Sequence, residues 1–256
     1  MNSSEKFLRY CKTHQTLTRP SRRFVISLGG GMAVKLYLMA RGVEPLPKKV
    51  ASTKDFDFTF AVNRPLSDAG VQRYSLEMYN IMYNFMKGFI RPDKLNIKSY
   101  ARKSYIPATG KRTYHVIQFK DAKGEDFVDC TLAYIPGTTR NNINTPLSKK
   151  FGLPMKKLKY MYKDVLVVLA GSFVYKKIMP RNPLGKNKPE KGLRNTARVA
   201  ALQKVKVSSP KTVRTTEFIK AIRAKNKKTA LTKARGIIRN IAKVRKTTKK
   251  LLYNLR

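Results

Sequence analysis

The sequence predicts an α+β protein in which a mixed sheet with helices on one face is followed by basic C-terminal helices. Three observations carry this prediction: a short apolar strand that runs into three glycines, a segment in which aspartates alternate with phenylalanines, and an amphipathic helix over 68–89. The strands are expected near 24–28, 55–61, 95–101, 113–120 and 126–133. This order of strands and helices is typical of a mixed sheet with helices packed against it.

The first predicted strand leads directly into Gly29-Gly30-Gly31, and a run of good helix formers follows from Met32 to Arg41. Glycines at the start of a helix let the backbone approach a phosphate, and the positive end of the helix favours the anion. Gly30 and Gly31 are therefore the candidate nucleotide-binding residues.

The next segment, Ser52 to Phe60, places Asp55 and Asp57 on one face of a strand and its phenylalanines on the other. Two carboxylates held side by side repel each other, and a bound cation offsets that repulsion. Such a pair can hold Mg²⁺ between the protein and phosphate oxygens. A later hairpin, whose two strands are joined by the turn Asp121-Ala122-Lys123-Gly124, carries Asp129 on its second strand, and Asp129 would complete a site for two metal ions.

The order of strand, Gly-Gly-x-Ala, Asp-x-Asp and a later single Asp resembles the nucleotidyltransferase superfamily, which has a DNA polymerase β-like palm fold. Gly30-Gly31-Met32-Ala33 matches its glycine motif, and Asp55, Asp57 and Asp129 match its three metal-binding carboxylates. The resemblance implies a nucleoside triphosphate substrate, Mg²⁺ or Mn²⁺ as cofactor in a two-metal site, and the three aspartates as catalytic residues.

The resemblance covers about residues 20 to 135, and the Pro-containing segment 41–51 departs from the family's pattern. The sequence is also similar in general character to nucleotidyltransferase-like proteins of large DNA viruses. Together with the strongly basic composition of the chain, that similarity suggests a virion-associated protein.

The chain is strongly basic, with 56 Lys and Arg residues against 14 Asp and Glu residues and a net charge of +42. Beyond residue 150 there are 30 basic residues and only three acidic ones. A charge of this size indicates a polyanionic partner, which is nucleic acid, an acidic protein or an anionic lipid surface.

We expect a palm-like domain over 1–135, a helical region with a basic linker over 136–192, and a highly basic helical tail over 193–256. The apolar stripe of the tail is too narrow for an independent domain, so we expect it to dock on the palm, on a partner or on a membrane surface. The candidate nucleic-acid-binding residues lie on its last predicted helix and are Arg235, Arg239, Lys243, Arg245, Lys246, Lys249 and Lys250.

The two cysteines, Cys11 and Cys130, form no disulfide framework, which predicts an intracellular, reducing compartment. The longest apolar run, Val165 to Tyr175, is too short to span a bilayer, so no transmembrane segment is expected.

Three functions fit these features. The first is metal-dependent nucleotidyl transfer on a polynucleotide. The second is a non-enzymatic virion protein, a minor capsid or internal genome-associated component, that uses the fold as a scaffold. The third is an antitoxin-like transferase that modifies protein or RNA.

Overall fold

A computed structural model describes residues 3–19, 21–120, 124, 126–179, 181–186, 189–205 and 210–253. Within these ranges the side chains of residues 126, 210–213 and 245–253 are not described. The described chain forms two compact units. The first contains the described residues up to Ala40, Thr53–Tyr105 and Lys111–Met161, and the second contains Arg41–Ser52, Ile106–Gly110 and the described residues from Tyr162 onward.

The first unit is built on a five-stranded mixed sheet with the order β1-β2-β5-β4-β3. Its strands are β1 (Val25–Leu28), β2 (Phe56–Val62), β3 (Asn96–Ile106), β4 (Lys111–Lys120) and β5 (Asp126–Tyr134). β2 pairs with β1 antiparallel and with β5 parallel, while β4 and β5 are antiparallel. This confirms the α+β fold with a mixed sheet and flanking helices.

The alternation predicted for β2 appears as a difference in burial between its two faces. Phe56, Phe58 and Phe60 are almost fully buried, whereas Asp57 and Thr59 are only partly buried. The two faces differ because successive side chains of a strand point in opposite directions. The phenylalanines contribute to the hydrophobic core and leave the aspartate on the more polar face.

The α-helices that lie wholly in the described part of the first unit are α1 (Ser3–His14), α2 (Gly30–Ala40), α4 (Asp68–Met86) and α5 (Thr145–Phe151). Phe7 of α1 is fully buried, and its ring makes edge contacts with four other aromatic rings. These rings belong to Phe56, Phe85, Phe89 and Phe127. α1 therefore closes the core beside β2 and α4.

The second unit is helical and contains the short α3 (Lys48–Ala51), α6 (Leu158–Val174) from Tyr162 onward, α7 (Pro189–Lys204), α8 (Pro210–Arg223) and α9 (Lys227–Tyr253). The rings of Phe173 in α6 and Phe218 in α8 lie 5.4 Å apart in a T-shaped contact. Leu202 of α7 and Ala234 of α9 are also buried.

The narrow apolar stripe of the tail predicts that its helices dock on another element, and in the second unit α7 to α9 pack together with α6. The apolar stripe of each helix is narrow, but the stripes of α6 to α9 meet, and together they bury enough apolar surface to form a core. The tail helix α7 begins at Pro189, before residue 192, where the expected basic linker ends. Proline suits the first turn of a helix, where its missing N–H would have no partner in the helix.

Two further expectations concern the membrane and the cysteines. Within the described part of the chain, no helix is both long and apolar enough to cross a membrane. Cys11 and Cys130 are free thiols, and both are buried.

Candidate active site

The glycine turn joins the end of β1 to the start of α2 and is anchored on β2. The backbone N–H of Gly29 donates a hydrogen bond to the carbonyl oxygen of Asp57, at 2.7 Å. Gly30 has a φ of +59°, a left-handed conformation that glycine adopts at little cost. Gly31 is buried in the first turn of α2. The first backbone N–H groups of a helix have no partner within the helix, so this turn presents donors beside Asp57.

Asp57 and Asp129 lie directly opposite each other on the neighbouring parallel strands β2 and β5. Strands in a sheet are about 4.8 Å apart, and residues in register point to the same face. Both side chains are partly exposed. The fold therefore brings together two aspartates that are far apart in the sequence.

The carboxylate of Asp57 also packs against the glycine turn. A Cβ atom added to Gly30 would overlap Oδ2 of Asp57 and would lie 2.7 Å from its Cγ. Glycine is needed at this position for two reasons, the positive φ and the space that the carboxylate occupies. The glycine motif and the aspartate motif thus form one local structure.

Asp129 is held by a residue that the sequence did not single out. The side-chain amide Nε2 of Gln118 donates to Oδ1 of Asp129 at 3.0 Å, and the two residues are register partners of β4 and β5. The predicted hairpin contained the signal, because partners in an antiparallel pair share a face. Gln118 therefore orients the Asp129 carboxylate on the face that it shares with Asp57.

The electrostatic influence of the two carboxylates extends to Cys130, which is buried on the opposite face. Burial raises the pKa of the Cys130 thiol well above its ordinary value, and the negative charges of Asp129 and Asp57 raise it further. The thiol therefore stays protonated and does not act as a nucleophile or metal ligand at neutral pH.

The third predicted carboxylate is placed differently. Asp55 is partly exposed and lies one residue before β2 begins, so the alternation of the strand does not set the direction of its side chain. Over the described residues, the structure contains no group of three or more His, Cys, Asp or Glu side chains that could hold a metal ion. The fold thus pairs Asp57 with Asp129, and the role of Asp55 as a third ligand stays a prediction.

The predicted nucleic-acid-binding residues lie on α9, in the second unit. Arg235, Arg239 and Lys243 are exposed and spaced by four residues, so they follow one face of the helix. The side chains of Arg245, Lys246, Lys249 and Lys250 fall outside the described residues.

Comparisons with known proteins found similar structures at low identity. A polyadenylate synthase of Megavirus matches 78% of this chain with 14% identity and a TM-score of 0.45, and the match spans only 34% of that protein. The protein JHP933 of Helicobacter pylori matches over 98% of this chain and 96% of its own, with 14% identity and a TM-score of 0.33. No family model matches the chain, and no curated protein matches it significantly.

At these identities and TM-scores, the likeness supports no conclusion about the chemistry of this chain.

Proposed function

We propose that the chain transfers a nucleotidyl group from a nucleoside triphosphate to a hydroxyl of a polynucleotide, in a reaction that requires Mg²⁺ or Mn²⁺. One observation carries the proposal: Asp57 and Asp129 are in register on parallel strands, and the Asp57 carboxylate packs against the glycine turn at the start of α2. This arrangement puts a pair of anionic oxygen ligands beside a helix terminus that favours a phosphate.

The donor set fits a hard divalent cation. Carboxylate oxygens are the ligands that Mg²⁺ and Mn²⁺ prefer, and Mg²⁺ is commonly held by one or two carboxylates together with substrate phosphates. Asp57 and Asp129 would hold the cation, with Asp55 two residues from Asp57 as a further ligand. A bound cation would polarise the α-phosphate and neutralise the charge that develops during transfer.

The protein's own groups have distinct tasks in this reaction. The backbone N–H groups at the start of α2 bind phosphate oxygens of the triphosphate. Asp129, oriented by Gln118, accepts the proton of the attacking hydroxyl. The hydroxyl oxygen forms a bond to the α-phosphorus, the bond from that phosphorus to the bridging oxygen breaks, and pyrophosphate leaves.

The basic second unit supplies affinity for the polynucleotide. Arg235, Arg239 and Lys243 are exposed along one face of α9. Cations in such a row attract phosphates without regard to sequence, and their contribution weakens as salt rises.

The test is incorporation of labelled nucleoside triphosphates with Mg²⁺ or Mn²⁺ on RNA, DNA and protein acceptors. Asp57→Asn should reduce incorporation at least about 100-fold, because a lost metal ligand removes several kcal/mol of stabilisation from the transition state. The matched control is Asp93→Asn, since Asp93 is exposed and its contact in the described part of the chain is an ion pair with Arg91 at 3.2 Å. Equal incorporation by both variants and the unsubstituted protein would refute the assignment of the site.

A scaffold role in a nucleic-acid-containing assembly, such as a virion, is the second candidate, and the net charge of +42 favours it. It predicts salt-sensitive binding to nucleic acid that Asp57→Asn leaves unchanged, and no incorporation on any acceptor. Incorporation on protein alone would instead support the antitoxin-like transferase.

A further inference from the structure

The edge strand β3 and its partner β4 form a basic region within the first unit. β3 ends the sheet, beyond β4, and most of its residues are exposed. Residues 94–120, which include both strands, contain seven Lys and Arg residues and no Asp or Glu. Cross-strand contacts determine the side of the sheet to which these cations point.

The first contact joins Ser99 of β3 to His115 of β4, whose Oγ and Nε2 atoms are 2.7 Å apart. His115 is the register partner of Leu132 in β5. Leu132 is three positions from Asp129 along the same strand, so the two point to opposite faces. Ser99 therefore lies on the face opposite to Asp129.

The second contact joins the guanidinium of Arg112 to the ring of Tyr105, at 5.5 Å from its centroid. Arg112 is the register partner of Tyr134, which is two positions from Leu132 and on the same face. Tyr105 therefore lies on the same side as Ser99. Two independent contacts place odd-numbered residues of β3 on the face opposite to Asp129.

The even-numbered residues Lys98, Tyr100 and Arg102 consequently lie on the same face as Asp57 and Asp129. The Nζ atom of Lys98 is 5.9 Å from the Tyr100 ring, as expected for neighbours on one side of a strand. Lys98 and Arg102 are exposed, and Tyr100 is partly exposed. We call these three residues the edge row.

Charges on an edge strand also have a simpler use, because they stop two sheets from pairing edge to edge. That use explains Lys98 and Arg102 but not a partly exposed tyrosine between them. An aromatic ring between cations is the combination that binds single-stranded nucleic acid, in which bases stack on the ring and phosphates pair with the cations. Bases within a duplex are already stacked and do not need such a ring.

We propose that the edge row binds a single-stranded polynucleotide on the carboxylate face of the sheet. Tyr100 stacks on a base, and Lys98 and Arg102 pair with phosphates. β3 is two strand spacings from β5, about 10 Å, so a bound strand passes close to Asp129. The binding itself is independent of catalysis, whereas its use as the acceptor site rests on the proposed function.

The experiment uses two pairs of variants on the same strand but on opposite faces. The first pair is Tyr100→Ala and Tyr105→Ala, and the second is Arg102→Ala and Lys103→Ala. The probe is a short fluorescein-labelled oligouridylate, whose dissociation constant from the full chain is measured by anisotropy at several salt concentrations. Because the cations of α9 are present in every variant, their contribution cancels within a pair.

Tyr100→Ala should raise the dissociation constant about 5- to 100-fold, which corresponds to the loss of one stacked base. Tyr105→Ala should change it less than about twofold, and Tyr100→Phe should retain binding because it keeps the ring. Arg102→Ala should reduce the slope of the logarithm of the binding constant against the logarithm of the salt concentration by about 0.7, the value for one phosphate of a single strand. Lys103→Ala should leave that slope unchanged.

Equal effects within the pairs would overturn the proposal. A duplex or an acidic polypeptide that binds as tightly as the oligouridylate, and whose binding depends on Tyr100 to the same degree, would also overturn it. If the protein shows no transfer activity but binds the probe through the edge row, the proposed function fails and this inference stands. If transfer occurs and Tyr100→Ala behaves like Tyr105→Ala in binding, the inference fails and the function stands.

Discussion

Replacing Gly30 by alanine tests the coupling between the glycine turn and the Asp57 carboxylate. A residue with a side chain pays about 1–2 kcal/mol to adopt a left-handed conformation, and Gly30 has a φ of +59°. The new Cβ would also overlap Oδ2 of Asp57. Since a carboxylate can rotate, we expect the folded state to survive with Asp57 displaced from its place beside the turn.

Gly137→Ala is the matched control in the same unit. Gly137 has a φ of +71°, and a Cβ added there would meet no heavy atom within 4 Å. Both variants therefore lose the same free energy by placing a side chain on a left-handed backbone, but only Gly30→Ala disturbs an aspartate. For a chain of this size each kcal/mol corresponds to about 2–4 °C in the melting temperature.

Thermal denaturation and nucleotide incorporation measured together separate the two effects. Gly137→Ala should lower the melting temperature by about 2–8 °C and keep its activity at a temperature where it is folded. Gly30→Ala should lose at least as much stability and also lose incorporation, at least about 100-fold. A Gly30→Ala protein with the activity of Gly137→Ala would refute the reasoning that the turn positions Asp57.

Three further predictions concern the core, the thiols and the pH dependence of stability. Phe7→Ala should destabilise the protein by about 3–5 kcal/mol, because Phe7 is fully buried among aromatic rings. Leu76→Ala should change stability by less than about 0.5 kcal/mol, because Leu76 is 62% exposed. Urea denaturation of both variants checks this, and an equal loss of stability in the two would contradict it. Burial raises the pKa of both Cys11 and Cys130, so neither thiol should react with a disulfide reagent in the native protein, and both should react in denaturant. Rapid reaction of either thiol in the native protein would contradict its burial. Burial lowers the pKa of His115, so the unfolded chain binds this proton at a higher pH than the folded chain. The contribution of His115 to stability should therefore be fully present above about pH 6.5 and should decrease as the pH falls below that value. His115→Gln should remove this part of the dependence of the unfolding free energy on pH, and an unchanged pH dependence would contradict it.

Much of the sheet could be predicted because its strands have strong local patterns. The alternation in β2 separated Asp57 from the phenylalanines correctly, and the hairpin of β4 and β5 followed from its turn. The glycine run correctly predicted the start of α2. These features depend on residues that are close together in the sequence, where periodicity and turn chemistry act.

The partnership of Asp57 and Asp129 could not be derived from local pattern, because the pairing of β2 with β5 joins residues far apart in the chain. Register across that pair is set by packing of the whole sheet. The same limit applies to Gln118, whose role appears only when β4 and β5 are aligned.

The elements that share the core of the second unit could not be predicted for a similar reason. The apolar stripe of α9 is narrow when that helix is considered alone, but it packs together with α8, which supplies Phe218. The short helices α3 and α5 were also missed. α3 has only four residues, too few to show a helical period.

The most direct test of the central claim is Mn²⁺ binding to the carboxylate pair. It can be measured by electron paramagnetic resonance in the presence of a nucleoside triphosphate analogue whose α,β-bridging oxygen is replaced by a methylene group, which cannot be transferred. Asp57→Asn and Asp129→Asn should each weaken Mn²⁺ binding at least about tenfold, which corresponds to a loss of about 1.4 kcal/mol, while Asp93→Asn binds as the unsubstituted protein does. Unchanged binding in both Asp57→Asn and Asp129→Asn would contradict the assignment of the metal site to this pair.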